Sequence, residues 1–126
     1  MSALVKGKKR AKNKIDPESA TKILRTVSLP EAFLFFTDIG QYTGEFAACL
    51  DEFLEKLNKM PLKSLEFHFE RGDFEKWIRG TLGDEYLADG ISKIDRTLKG
   101  EEIREILQRT VKNRLDQLEV TQEPET

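Results

Sequence analysis

The chain has 126 residues, enough for one domain with tails; 38% are hydrophobic, 35% are charged, and the formal net charge is −2. The longest apolar run, AFLFF at residues 32–36, is far short of the roughly 20 residues that a membrane-spanning helix needs. One cysteine, Cys49, and one histidine, His68, exclude an internal disulfide and every familiar zinc spacing.

The charge is segregated. Lys6, Lys8, Lys9, Arg10, Lys12 and Lys14 all precede the first acid, Asp16. The other 15 basic residues face all 23 acidic ones, so a basic tail adjoins a body of net charge −8. Residues 1–15 hold too little apolar surface to offset their ordering entropy and are expected to be disordered. No apolar stretch follows the basic run, so a signal peptide is not expected and a cytoplasmic location is. The six cations could contact phosphates in a salt-dependent way. Nucleic acid or a ribosome is therefore one candidate partner, although no aromatics are interleaved and the acidic body would repel a polyanion.

Asp16-Pro17 predicts the start of the first helix, with Asp as cap and proline at the first position, where its missing N–H is not needed. Ala20, Ile23, Leu24 and Val27 fall on one face, and the helix is expected to end at residues 28–30 (SLP). Residues 32–36 are ambiguous between a buried strand and a buried helical turn. Helix is favoured, because no second strand-like run offers backbone partners. Residues 37–42 (TDIGQY) read as a loop. Thr43 is expected to cap a helix whose stripe is Phe46, Leu50, Phe53, Leu54 and Leu57, with Glu52–Lys56 and Glu55–Lys59 pairs outside.

The block at residues 64–82, SLEFHFERGDFEKWIRGTL, holds His68, the single tryptophan Trp77 and three phenylalanines. Ser64 is a candidate cap. Alternation of Leu65, Phe67 and Phe69 suggests a strand. The charge pairs Arg71–Glu75 and Glu75–Arg79, and the stop-and-cap pair Gly72-Asp73, favour helix. Gly83-Asp84 repeats that device before a short helix with Leu87, Ile91 and Ile94 inward. The last helix, from Glu101 to about Glu119, carries Ile103, Ile106, Leu107, Val111, Leu115 and Leu118 on one stripe. Glu101, Glu102 and Glu105 suit its positive end, and Arg109, Lys112 and Arg114 its negative end. The expectation is an all-α fold, a compact bundle of five to six helices over residues 16–119, with a flexible acidic C-terminus at 120–126.

No catalytic signature emerges, and no cofactor or metal is expected. General acid–base work by His68 would need an orienting carboxylate and a concave site beside it. Trp77 with Phe67, Phe69 and Phe74 could stack a sugar or a base, but aromatics at helical spacing more often fill a core. The tripeptide Arg71-Gly72-Asp73 matches cell-adhesion ligands by chance.

Phe67-His68, Arg71, Asp73-Phe74 and Trp77-Ile78, followed by Leu82-Gly83-Asp84 and Leu87-Ala88, resemble a family of uncharacterised prokaryotic domains found mostly in archaea. The resemblance covers residues 32–118. It implies a small helical unit that occurs alone or attached to larger proteins, including sugar-handling enzymes, and it carries no activity or catalytic residue with it.

The reading favoured by the sequence is a cytosolic, non-enzymatic interaction module with a protein partner, docking through His68, Arg71, Asp73, Trp77 and Tyr42. Nucleic-acid or ribosome binding through the basic tail is the alternative, and a small carbohydrate or nucleotide pocket is the third. The long final stripe leaves a homodimer open.

Overall fold

The computed structural model describes residues 15–122. The basic run Lys6, Lys8, Lys9, Arg10, Lys12 and Lys14 and residues 123–126 lie outside the described residues. Helix α1 (Pro17–Leu24) starts as Asp16-Pro17 predicts: the Asp16 carboxylate accepts the Ser19 N–H at 2.7 Å, and Ala20 and Ile23 are buried.

The next segment overturns the all-α expectation. After a 3-10 turn at Leu29–Glu31, β1 (Phe33–Asp38) pairs antiparallel with β2 (Gln41–Ala47). The missing partner for AFLFF is the stretch read as a loop and the first turn of a helix. Two irregularities hide its alternation: the pairs Leu34↔Phe46, Phe36↔Tyr42 and Asp38↔Gln41 are separated by register shifts on either side of Phe36. Three residues of β2 stand opposite Phe35 alone, and Gly44, at φ 89°, supplies the bend. Thr43 does not cap a helix. Its hydroxyl donates to the Phe35 carbonyl at 2.7 Å and accepts the Glu45 N–H at 3.1 Å, replacing ladder bonds that the bulge removes. Ile39-Gly40 forms the turn, with Gly40 at φ 74°.

Helix α2 (Leu50–Lys59) then buries Leu50, Phe53 and Leu57, the lower part of the expected stripe. Its opening is closed by the Glu52 carboxylate, which accepts the Ala48 N–H at 2.8 Å. Lys56 reaches Glu45 on β2 at 2.7 Å rather than Glu52. The central block is helical. α3 (Leu62–Arg71) ends at Gly72, whose φ of 73° gives the left-handed stop. α4 (Asp73–Trp77) runs on through a π turn at Ile78–Leu82. Ser64 is not a cap: it lies inside α3, fully buried, and its hydroxyl has no partner among the described residues. Gly83 (φ 84°) stops the chain again, and Asp84 caps α5 (Glu85–Ser92) by accepting the Leu87 N–H at 3.2 Å. α6 (Glu101–Gln122) buries Ile103, Leu107, Val111, Leu115 and Leu118.

The described residues therefore form six helices and one two-stranded sheet. A single core runs through all of them. Its aromatic centre is Phe33 of β1, whose ring centroid lies 4.8 Å from Phe35, 5.7 Å from Phe53, 5.3 Å from Phe74 and 5.7 Å from Trp77. The inner face of the hairpin thus does the work expected of a helix stripe. No described helix is long and apolar enough to cross a membrane.

Candidate functional site

The outer face of the hairpin is the unusual surface. Strand alternation turns Phe33 and Phe35 inward and leaves Leu34 and Phe36 outward, opposite Phe46 and Tyr42. Phe36 and Tyr42 are 5.4 Å apart between ring centroids. Among the described residues, seven large apolar side chains are exposed, and four of them (Leu34, Ile39, Tyr42 and Phe46) sit on this one hairpin. Clustering of this kind marks contact surfaces, whereas scattered exposure does not.

Beside this face, between β1 and α3, lies a hollow of about 310 Å³. Leu34, Phe36, Ile39 and Phe67 give it apolar walls, and Asp38, Arg71 and Asp73 give it charge. Arg71 lies over the Phe67 ring at 4.9 Å, with its side chain about half exposed. Among the described residues its one side-chain hydrogen bond is from Nε to Asp73 Oδ2 at 2.9 Å.

His68 closes the hollow from below. The Phe36 backbone N–H donates to its Nε2 at 2.8 Å. A backbone amide can only donate, so Nε2 is bare and Nδ1 carries the proton. Nδ1–H donates to Asp73 Oδ2 at 2.8 Å. Burial lowers the imidazole below its ordinary value of 6.5, against the opposing pull of Asp73, and the Arg71 charge lowers it slightly further. A His–Asp pair of this kind could serve as a general base, but here the lone pair that would take a proton is occupied by the hairpin. With 4% exposure, the ring is a joint and not a reactive group.

The structure brings His68, Arg71 and Asp73 together and leaves Trp77 and Tyr42 elsewhere. Gly72 makes this trio: its left-handed turn folds Asp73 back towards the last turn of α3, so Asp73 is a bonding partner rather than a cap. Trp77 is 8% exposed, and its Nε1–H donates to the Glu31 carbonyl at 2.8 Å. Phe69 and Phe74 are equally enclosed, so only Phe67 of the expected stacking platform faces the hollow. Tyr42 is 46% exposed, on the far strand of the hairpin. The expected Arg71–Glu75–Arg79 ladder is absent from the described contacts. Glu75 pairs with Arg96 at 2.8 Å, and Arg79 with Glu85 at 2.9 Å and Asp89 at 2.6 Å. Leu34, Phe36 and Phe46 carry no strand signal of their own in the sequence, because their apolar spacing also fits helices. Period-two reading of residues 41–47 fails at the bulge.

A second polar joint links the start of α5 to α6. Arg114 of α6 donates from Nε to Asp84 Oδ2 at 2.8 Å and from Nη2 to Asp84 Oδ1 at 2.9 Å. Both side chains are buried. Arg114 is thus the partner of a helix cap rather than a surface cation. Among the described residues, no cluster of His, Cys, Asp and Glu could hold a metal ion.

A family model described as a family of unknown function, DUF5752, matches residues 30–125. The chain belongs to that family. The DUF5752 match takes in the hairpin, both polar joints and α2 to α6. It leaves α1 outside, although Ala20 and Ile23 are buried in the same core. No curated protein and no solved structure matches the chain.

Proposed function

We propose that the chain is a cytosolic, non-enzymatic interaction module that docks a protein partner on the outer face of its hairpin and in the adjoining hollow. The observation that carries this reading is the concentration of exposed Leu34, Ile39, Tyr42 and Phe46 on one hairpin next to an apolar-walled hollow. Contact patches of stable interfaces are built in this way, with aromatic anchors at the centre and a polar rim. Arg71, with its guanidinium ends free of described partners, and Asp38 would supply that rim. His68 and Trp77 then support the surface from beneath, and Tyr42 and Arg71 touch the partner.

The test is affinity capture on the full chain, followed by titration of the purified captured protein. Saturable binding by the wild type, weakened about tenfold or more in a Tyr42→Ser/Phe46→Ser variant that melts normally, is the expected result. Equal affinity of the two, or no saturable partner, removes the proposal.

A second reading rests on charge segregation. Lys6, Lys8, Lys9, Arg10, Lys12 and Lys14 would bind nucleic acid with an affinity that falls steeply as salt rises. Deleting residues 1–14 should abolish such binding in a fluorescence titration; binding that survives the deletion excludes these cations as its source.

A further inference from the structure

We infer that His68 is a proton-operated latch: a second proton on its imidazole releases the distal half of the hairpin from α3 and opens the hollow. The two bonds of the ring respond oppositely to protonation. Nε2 holds the hairpin only by accepting the Phe36 N–H. An imidazolium carries N–H on both nitrogens, so the two donors would face each other and the bond is lost. Nδ1–H, by contrast, gains strength against the Asp73 carboxylate. The charged ring therefore stays with the α3–α4 turn, and the strand leaves.

The surroundings direct the movement. The α3–α4 turn presents Asp73 and Arg71 to the ring, and Arg71 shares the same carboxylate oxygen at 2.9 Å. From β1 come the rings of Phe33, Phe35 and Phe36, and from α4 the ring of Phe74, none of them titratable. Phe67 of α3 lies on the remaining side. Asp38 is the further charged group that lines the hollow from β1.

Release stays local, because the base of the hairpin is fixed independently. Phe33 and Phe35 are buried, the Val27 N–H donates to the Ala48 carbonyl at 2.8 Å, and Trp77 holds the Glu31 carbonyl. Beyond Phe35 the ladder is weak, with register shifts on both sides of Phe36. Phe36, Asp38, Ile39 and Gly40 line the hollow, so their departure dismantles one wall. Burial holds the ring below 6.5, which keeps the latch closed at neutral pH and opens it on acidification. As a control on docking this rests on the interaction reading above. The latch itself is read without any partner, so the two can fail separately.

The experiment follows the full chain by NMR from about pH 7.5 to about pH 5, the interval in which histidine titrates. It records the His68 ring nitrogens together with amide exchange corrected for its intrinsic pH dependence. Protection of the Phe36 amide should fall about tenfold or more in step with the ring titration, while the Leu57 and Leu107 amides stay protected. In His68→Gln, the Phe36 amide should show no such step. Protection that persists while the ring titrates, a ring that stays neutral until the whole domain unfolds, or an equal step in His68→Gln overturns the latch. If His68→Gln does not fold, the wild-type comparison of ring and amide decides alone.

Discussion

Among the described residues, the Asp84–Arg114 and His68 joints are both buried, and they are built on opposite principles. Asp84 and Arg114 are both charged, both enclosed, and joined by two hydrogen bonds. Their attraction offsets a desolvation penalty only while both partners are present. His68 joins a strand to a helix as a neutral ring, one bond on each side, next to an open hollow. The first joint ties α5 to α6 through a fully enclosed pair. The second depends on one proton and sits beneath the surface proposed to bind. Each follows a left-handed glycine or grows around one: Gly83 precedes Asp84, and Gly72 separates His68 from Asp73. The same local device thus serves permanence in one place and conditional contact in the other.

The largest expected effect separates the two joints. Asp84→Ala strands a buried guanidinium and should cost about 3–5 kcal/mol in urea unfolding. Replacing both partners, as Asp84→Ala with Arg114→Met, should recover much of that loss. An equal loss in the single and double variants would show that the charge pair is not what Asp84 contributes. His68→Ala should cost less, about 1–3 kcal/mol at neutral pH, because it leaves the Phe36 N–H unpaired but no buried charge, and Asp73 Oδ2 keeps its bond from Arg71 Nε.

The pH dependence sharpens the contrast. A lowered folded-state value means that the unfolded chain binds the proton first. The contribution of His68 to stability is therefore complete above 6.5 and shrinks as the pH falls from 6.5 towards the folded-state value. Urea midpoints taken across that interval should decline in the wild type and decline less in His68→Ala. Parallel declines would assign the effect to other groups.

The two glycines should differ next. Alanine at either position meets the left-handed penalty of about 1–2 kcal/mol. At Gly83 an added Cβ would meet only the flexible Lys22 amine at 3.5 Å. At Gly72 it would press to 3.3 Å from Glu75 Oε2, which is already bonded to Arg96. Gly72→Ala should therefore melt below Gly83→Ala, and the reverse order would mean that the Arg96–Glu75 contact yields freely. The smallest effect belongs to Arg71→Ala. Its exposed pair with Asp73 should be worth under about 1 kcal/mol in the same unfolding assay, although its loss should be felt at the partner interface.

Much of the helical frame was legible. Asp16-Pro17, Gly72 and Gly83-Asp84 are local instructions, since a cap or a left-handed glycine acts within one turn of chain. The stripe of α6 likewise repeats over enough residues to identify itself. The hairpin was not legible, because a bulged strand breaks the alternation that would reveal it and so hides the partner of AFLFF. Of the candidate site, the trio His68, Arg71 and Asp73 lies close together in the sequence, whereas Leu34, Ile39 and Phe46 of the hairpin face carry no mark there. No local pattern shows what occupies the lone pair of His68, because its donor lies 32 positions earlier in the chain.

What the amino-acid order determined alone is the helix signals at Asp16-Pro17, Gly72 and Gly83-Asp84, the stripe of α6 and the segregation of charge, all of which are written in neighbours a few residues apart. Only tertiary structure decided that Phe33 is the centre of an aromatic core, that Arg114 is a buried partner of Asp84, and that Leu34, Tyr42 and Phe46 share an open face. Each of those depends on long-range pairing, in which strand register and helix packing select partners that no local pattern names.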